Sequence, residues 1–405
     1  MIMAGGKGER LHPLTRDRSK PAVPFGGRHR IIDFVLSNFV NSELLSLYVL
    51  VQYKSQSLIE HVRLAWRTTG IVPDYFVTIV PPQMRFGTAW YRGTADAVLQ
   101  NLNLVDDFNP DVVAIFGADH IYRMDVNQML AFHLEAGADV TVAARAVLLE
   151  DASQFGVLAV DRIARVVHFE EKPRSPSPMP DDAGRALVSM GNYLFSRQPL
   201  VDALLADARR STEHDFGRSI IPELVPAGRV FAYDFQKNDV PGVKPYEEPG
   251  YWRDVGTIEA YWAAHMDLLG ESPRFDLDNR YWPMRTGQHP GPPARFIGVD
   301  IDNAQVAEAS LVKRATIRNS ILGRGVWVNE GAVIEDSIVM DHTTVGKGAR
   351  VRRAVIDRFN IIAADREIGY NPELDRRSYH VDPSGIVVVP RGGRREFLLG
   401  LEEQL

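Results

Sequence analysis

The 405-residue chain is 45% hydrophobic and 24% charged, with a net charge of −6; this is the composition of an ordinary globular protein too long for one core, so two domains are expected. The mild acidity excludes a general nucleic-acid binder, and no apolar run reaches the ~20 residues of a membrane span. Cysteine is absent, which excludes disulfides and thiolate metal sites and fits a cytoplasmic setting.

The chain opens almost directly on a glycine loop, Gly5-Gly6-Lys7-Gly8-Glu9-Arg10-Leu11. A buried strand normally leads into such a loop, so its absence reads as a late start or a truncated gene model. Lys7, Glu9 and Arg10 exclude a signal peptide. Glycines let a backbone turn tightly and present its N–H groups to a ligand, and phosphate oxygens suit such a row of donors. Arg10 and Lys20 add positive charge, while Pro13 and Pro21 keep the stretch from forming one long helix. A P-loop is excluded because Gly8 follows Lys7. A dinucleotide fingerprint is excluded because Leu11 stands where its last glycine belongs.

Residues 31–41 then read as a helix with an apolar face, 47–51 as a buried strand, 55–67 as a helix and 75–80 as a strand ended by Pro81-Pro82. Thr94 to Val105 predicts one helix with Thr94 as N-cap. Strand signals at 111–116 and 139–144 flank a helix at 125–136. Such alternation predicts an α/β fold with a doubly wound, mostly parallel sheet, whose ligands sit outside the carboxyl ends of the strands. Residues 174–183 read as a loop. A Pro-, Gly- and Arg-rich connection at 272–298 divides a first domain, 1–271, from a second, 299–405. In that second domain Ile321, Trp327, Val333, Val339, Val345 and Val351 recur every six residues; after one slip Ile356, Ile362 and Ile368 continue. A hexapeptide repeat predicts a parallel β-helix with these side chains stacked inside.

Several motifs fall near strand ends. Gln83-Met84-Arg85 offers an amide suited to a purine edge. Trp90-Tyr91-Arg92-Gly93-Thr94 offers N–H groups at a helix start, although Trp90 and Tyr91 also suit plain packing. Asp119, in Gly117-Ala118-Asp119-His120, either holds Mg²⁺ against phosphates or caps a turn. Glu171 suits sugar hydroxyls and Lys172 a phosphate monoester, unless the pair is a solvated turn. Ser189-Met190-Gly191-Asn192 precedes an apolar strand. His214-Asp215-Phe216-Gly217 reads as a helix start. Asp254, in Trp252-Arg253-Asp254-Val255-Gly256, supplies a carboxylate that the fold could bring to Asp119.

The glycine loop with Lys20-Pro21 resembles the signature of sugar-1-phosphate nucleotidylyltransferases. With Trp90–Ala97, Gly117–Tyr122, Glu171–Pro173, Ser189–Asn192, His214–Gly217, Trp252–Thr257 and the hexapeptide tail, the order of motifs is similar to the glucose-1-phosphate adenylyltransferase family of the bacterial glycogen pathway. The resemblance implies ATP and α-D-glucose 1-phosphate as substrates, Mg²⁺ as cofactor, a left-handed β-helix and a homotetramer. It implies that Gly5, Gly6, Gly8, Arg10 and Lys20 hold the triphosphate, with Gly93 beside the nucleotide and Gln83 on the adenine. Arg10, Lys20 and Asp119 are the implied catalytic groups, and Asp119 and Asp254 the metal ligands. Tyr91, Gly156, Glu171, Lys172 and Ser189 are implied for glucose 1-phosphate, and Arg18 and Arg30 for a sugar-phosphate or nucleotide effector. Asp17 and Pro24 depart from the Lys and His of that effector site, so the usual response to fructose 1,6-bisphosphate and AMP is not carried over. Two competing functions are an acyltransferase, for which His342 is the sole histidine between 321 and 368, and a non-catalytic paralogue, against which Arg10, Lys20, Asp119, Lys172 and Asp254 are all retained.

Overall fold

The computed structural model describes residues 1–66, 75–83 and 90–402. Contrary to expectation, the glycine loop has its buried lead-in strand. Ile2–Ala4 lies between the parallel strands Ser46–Val51 and Val112–Gly117. Three residues suffice because both neighbours hydrogen-bond to it and apolar layers cover both faces. Phe76–Val80 extends this parallel half. The other half departs from the parallel expectation, because Arg185–Ser196 runs antiparallel to Val112–Gly117, Val140–Leu148 and Gly156–Val160. Among the described residues this sheet has nine strands and is therefore mixed.

The expected helices occur as Ile31–Asn41, Gln56–Ala65 and Val126–Glu135; position 67 lies outside the described residues. The stretch from Thr94 is two helices, Thr94–Leu99 and Leu102–Phe108, rather than one. Gly93, not Thr94, is the N-cap. The Thr94 hydroxyl instead donates to Asp215 at 2.8 Å and accepts from the Phe216 backbone N–H at 3.0 Å. It thereby ties this helix start to the turn that opens Phe216–Ile220, where Asp215 is the N-cap.

Asp33 ties the first helix to its surroundings. Its buried carboxylate accepts from the Arg30 backbone N–H, Trp66 Nε1 and Thr286 Oγ1, and its Oδ1 lies 2.6 Å from His61 Nε2. Burial alone raises a carboxyl pKa, but His61 and the donated hydrogen bonds outweigh it and hold Asp33 down at about 2. A depressed carboxylate contributes stability above its unfolded pKa that is lost as pH falls through the folded one. We therefore expect on the order of 2 kcal/mol of stability to disappear between about pH 4 and pH 2. Denaturation midpoints measured across that window should show the loss in the wild type and a smaller one in Asp33→Asn.

In the second domain the stacking register differs by one residue from the expected one at its start. Ile317, Ile334, Val351 and Ile368 pair in succession, as do Leu322, Val339 and Ile356, and Val328, Val345 and Ile362. These side chains fill the interior of parallel coils, each 17 residues long. Asn319, Asp336 and Arg353 turn one corner of successive coils with φ of 43°, 47° and 47°; Asn and Asp tolerate this left-handed region better than most residues. Trp327 and Val333 are only partly buried, since Val328 and Ile334 take the interior places. Ile321 faces out of the coil but is fully buried, because Ile321, Ile338 and Val355 pack against Tyr261, Ile258 and Leu11 of the first domain. Paired apolar residues such as Ile321-Leu322 thus serve two cores.

Candidate active site

A cleft of about 790 Å³ opens at the carboxyl ends of Ile2–Ala4 and Val112–Gly117. The glycine loop forms one wall. Gly8 adopts φ +64°, and a Cβ there would lie 2.9 Å from the Lys20 Cβ and 3.2 Å from the Thr15 Cγ2. Its carbonyl accepts from Thr15 Oγ1 and the Leu11 N–H, which closes the turn that carries Arg10. Gly6 meets nothing within 4 Å, so it leaves room on the open side of the loop. The loop's shape requires Gly8, while Gly6 permits close approach of a ligand.

The floor of the cleft is a two-stranded ribbon, His120–Tyr122 against Trp252–Asp254, in which Asp254 pairs with His120. This pairing brings the distant Asp119 and Asp254 together. Lys20 reaches between them, its Nζ 3.0 Å from Asp119 Oδ2 and 2.6 Å from Asp254 Oδ1. Burial works to lower the lysine pKa, but the two carboxylates win and hold it above the usual lysine range. Asp119 is correspondingly held well below the usual carboxylate range: burial pushes it up, and Lys20 and then His120 pull it further down. Donor atoms of Asp119, His120 and Asp254 lie within 4.8 Å of one another. A cation with oxygen ligands at ~2.1 Å fits that spacing, and two carboxylates are the hard donors it prefers. The residues therefore fit a divalent metal that shares the carboxylates with Lys20.

The opposite wall gathers the residues implied for a sugar phosphate. Glu171 ends the strand Val166–Glu171, and its carboxyl sits beside two glycines. A Cβ on Gly156 would come 2.7 Å, and one on Gly217 2.6 Å, from Glu171 Oε2. Burial, more than the neighbouring charge of Asp215, raises the Glu171 pKa, with Lys172 opposing. Lys172 is at φ +51°, its N–H bonded to the Phe155 carbonyl and its Nζ 3.7 Å from Glu171 Oε1. Ser189 begins an irregularity in the strand register that runs to Tyr193, and its hydroxyl accepts from the N–H of Gly191, at φ +70°. Tyr91 is buried with its hydroxyl accepting from Asn101 Nδ2 at 2.9 Å.

The remaining expected residues fall at the helix start after Gly93, at the rim and at the domain seam. At the helix start after Gly93 the Ala95 and Asp96 N–H groups are taken by the His214 carbonyl, which leaves only the N–H groups of Gly93 and Thr94 on the cleft for a ligand. Gly93 is needed for space: a Cβ would lie 2.3 Å from that same carbonyl oxygen. Gln83 is exposed and donates to the Pro81 carbonyl, and it is not among the described residues lining the cleft; Met84 and Arg85 lie outside the described residues. Arg18 and Arg30 also lie away from the cleft, at the seam between domains. Arg18 is buried and its Nη2 lies 2.7 Å from Asp357 Oδ2. Arg30 donates to the Ser57 carbonyl and hydroxyl, and burial followed by repulsion from Arg18 brings its pKa down to about 10. Cleft residues the motifs did not single out include Gln52, which donates to the Tyr91 carbonyl, and Gln154, which accepts from Arg10. A lone Gln carries no signal in one sequence.

Residues 1–271 match the family model described as nucleotidyl transferase, and residues 292–389 match the model of the GlmU-like C-terminal hexapeptide. The chain is 51% identical to the glucose-1-phosphate adenylyltransferase of Thermodesulfovibrio yellowstonii over 97% of this chain and 96% of that one. It belongs to the glucose-1-phosphate adenylyltransferase family. The enzyme of that name from Photobacterium profundum is 49% identical, covering 97% of this chain and 98% of its own. That of Anaeromyxobacter sp. is also 49% identical, over 98% of each. As a family member the chain is a nucleotidyltransferase, its catalytic fold followed by the left-handed hexapeptide β-helix. No described helix is long and apolar enough to cross a membrane.

Proposed function

We propose that this nucleotidyltransferase transfers AMP from ATP to α-D-glucose 1-phosphate, giving ADP-glucose and pyrophosphate, the committed step of α-glucan synthesis. The observation that carries this reading is one cleft in which a glycine loop and an Asp119–Lys20–Asp254 cluster face Glu171, Lys172 and Ser189. An oxygen of the sugar phosphate attacks the α-phosphorus, and the bond to the leaving pyrophosphate breaks in line, with no covalent enzyme intermediate. Positioning and charge neutralisation then carry the catalysis. Gly5, Gly6 and Gly8 present N–H groups to the triphosphate, Gly93 lines the cleft beside the nucleotide, and Gln83 is the candidate contact to adenine. Arg10 and Lys20 neutralise the leaving pyrophosphate. Asp119 and Asp254 would hold Mg²⁺, which when bound supplies Lewis-acid stabilisation of phosphoryl oxygens. Tyr91, Gly156, Glu171 and Ser189 shape the sugar site, and Lys172 takes its phosphate.

We further propose a catalytic domain over 1–271 and a linker from 272 to the β-helix, within a cytoplasmic homotetramer; the linker ends before the expected 298, because the strand Arg295–Ile297 pairs in parallel with Leu311–Lys313. A regulatory role for Arg18 and Arg30 is supported by their place in a seam that also holds Arg358. Burial and then Arg18 bring the Arg358 pKa down to about 9, so an anionic sugar-phosphate or nucleotide effector would relieve like-charge repulsion there.

Lys172→Ala should raise KM for glucose 1-phosphate about 10–100-fold, the value of a hydrogen bond to a charged group. Its kcat should change far less, and initial rates against sugar phosphate check the split. The whole reading is tested by running the reaction backwards. Purified protein with ADP-glucose, pyrophosphate and Mg²⁺ should form ATP and glucose 1-phosphate. Absence of both products from folded protein that binds ADP-glucose would overturn it in favour of a non-catalytic paralogue.

A further inference from the structure

Arg10 is only loosely held by its acidic neighbour. Its Nη2 lies 3.7 Å from Asp254 Oδ2, and half of the side chain is exposed. The closer contact is with a neutral group, since Nη1 donates to Gln154 Oε1 at 2.8 Å. Gln154 ends the short turn Ala152–Gln154, which is anchored on both sides. Ala152 is fully buried, and the Phe155 ring lies 5.3 Å from Trp252 while its carbonyl accepts from the Lys172 N–H. Gly156 of the sugar wall follows at once. The bond therefore joins the glycine loop to the wall that carries Glu171 and Lys172. Gly256 leaves space for it, because a Cβ there would stand 3.0 Å from Arg10 Nη2.

We propose that Gln154 is a positioning residue for Arg10, holding the guanidinium across the mouth of the cleft through a neutral amide oxygen. A long, half-exposed arginine has several rotamers open to it, and ordering it costs side-chain entropy at each turnover. An acceptor on an anchored turn removes part of that cost beforehand. An amide does so without cancelling the charge, whereas a carboxylate at the same place would neutralise the group that meets the leaving pyrophosphate. The inference rests on the adenylyl-transfer reading of Arg10.

A double-mutant cycle tests it. Gln154→Met keeps the length of the side chain and removes the acceptor. In the full-length enzyme it should lower kcat about tenfold, as expected for a misplaced catalytic group, leaving KM for glucose 1-phosphate within about twofold and the thermal midpoint unchanged. In an Arg10→Ala background the same substitution should change kcat by less than about twofold. A loss of equal size in both backgrounds, or wild-type kcat in Gln154→Met alone, overturns the proposal. Full activity of Arg10→Ala would overturn both the proposal and the role given to Arg10, so the two failures are distinguishable.

Discussion

Asp119→Asn should lower kcat by about 10²–10³-fold, the loss seen when one preorganised electrostatic group is removed from a reaction centre. The substitution is nearly isosteric, and the Asp119 side chain is 40% exposed. Lys20 keeps its shorter contact, 2.6 Å to Asp254. A partly exposed ion pair contributes about 0–1 kcal/mol, so the fold should barely register the change. The chemistry should, because one of two anionic metal donors becomes neutral and Lys20 is left with a single carboxylate. Turnover and thermal midpoint measured on the same preparation separate these effects. Normal turnover would make Asp119 merely a partner of Lys20.

The second large effect is structural. Arg18→Met should destabilise the protein by about 3 kcal/mol, in the lower part of the 3–5 kcal/mol range for breaking a buried pair. Arg18 and Asp357 are each 1% exposed and join the first domain to the β-helix. Removing the arginine strands a buried carboxylate. Two features soften the cost. Arg18 repels Arg30 and Arg358, and its Nε and Nη1 find no partner among the described residues, so some strain leaves with it. Replacing both partners by Met and Leu should restore much of the stability, because the desolvation penalty then disappears from both sides. Chemical denaturation of the two variants and the wild type checks the order. A single variant as stable as the wild type would show that the apolar seam around Ile321, Ile338 and Val355 suffices by itself.

Much of the architecture is legible along the chain because local chemistry and global fold agree there. The glycine loop must turn at Gly8, and it does so with a backbone only glycine adopts cheaply. The hexad announces the coils, but its phase is ambiguous wherever two apolar residues stand side by side. Ile321 and Leu322 are equally apolar, and only the docking of helix Ile258–Met266 decides which one faces inward. Strand direction is hidden for a related reason. Arg185–Ser196 is apolar enough to be central either way, and its antiparallel course is set by connections rather than composition. Of the site, Asp119 and Asp254 are legible as two carboxylates that the fold could bring together, each following an apolar or aromatic strand signal; what unites them is the pairing of His120 with Asp254. Gln52 and Gln154 were not recognisable at all, because a single polar residue after a strand or in a turn is usually only solvated.

The measurement that bears most directly on the account is initial-rate pyrophosphate release from the purified protein with Mg²⁺ and glucose 1-phosphate, comparing ATP, UTP, dTTP and GTP. ATP should give the highest kcat/KM, and ADP-glucose should accumulate in step with pyrophosphate. Preference for UTP or dTTP would contradict the adenylyl assignment while leaving the phosphoryl chemistry intact. Silence with every nucleotide would contradict the catalytic role of the Asp119–Lys20–Asp254 cluster itself.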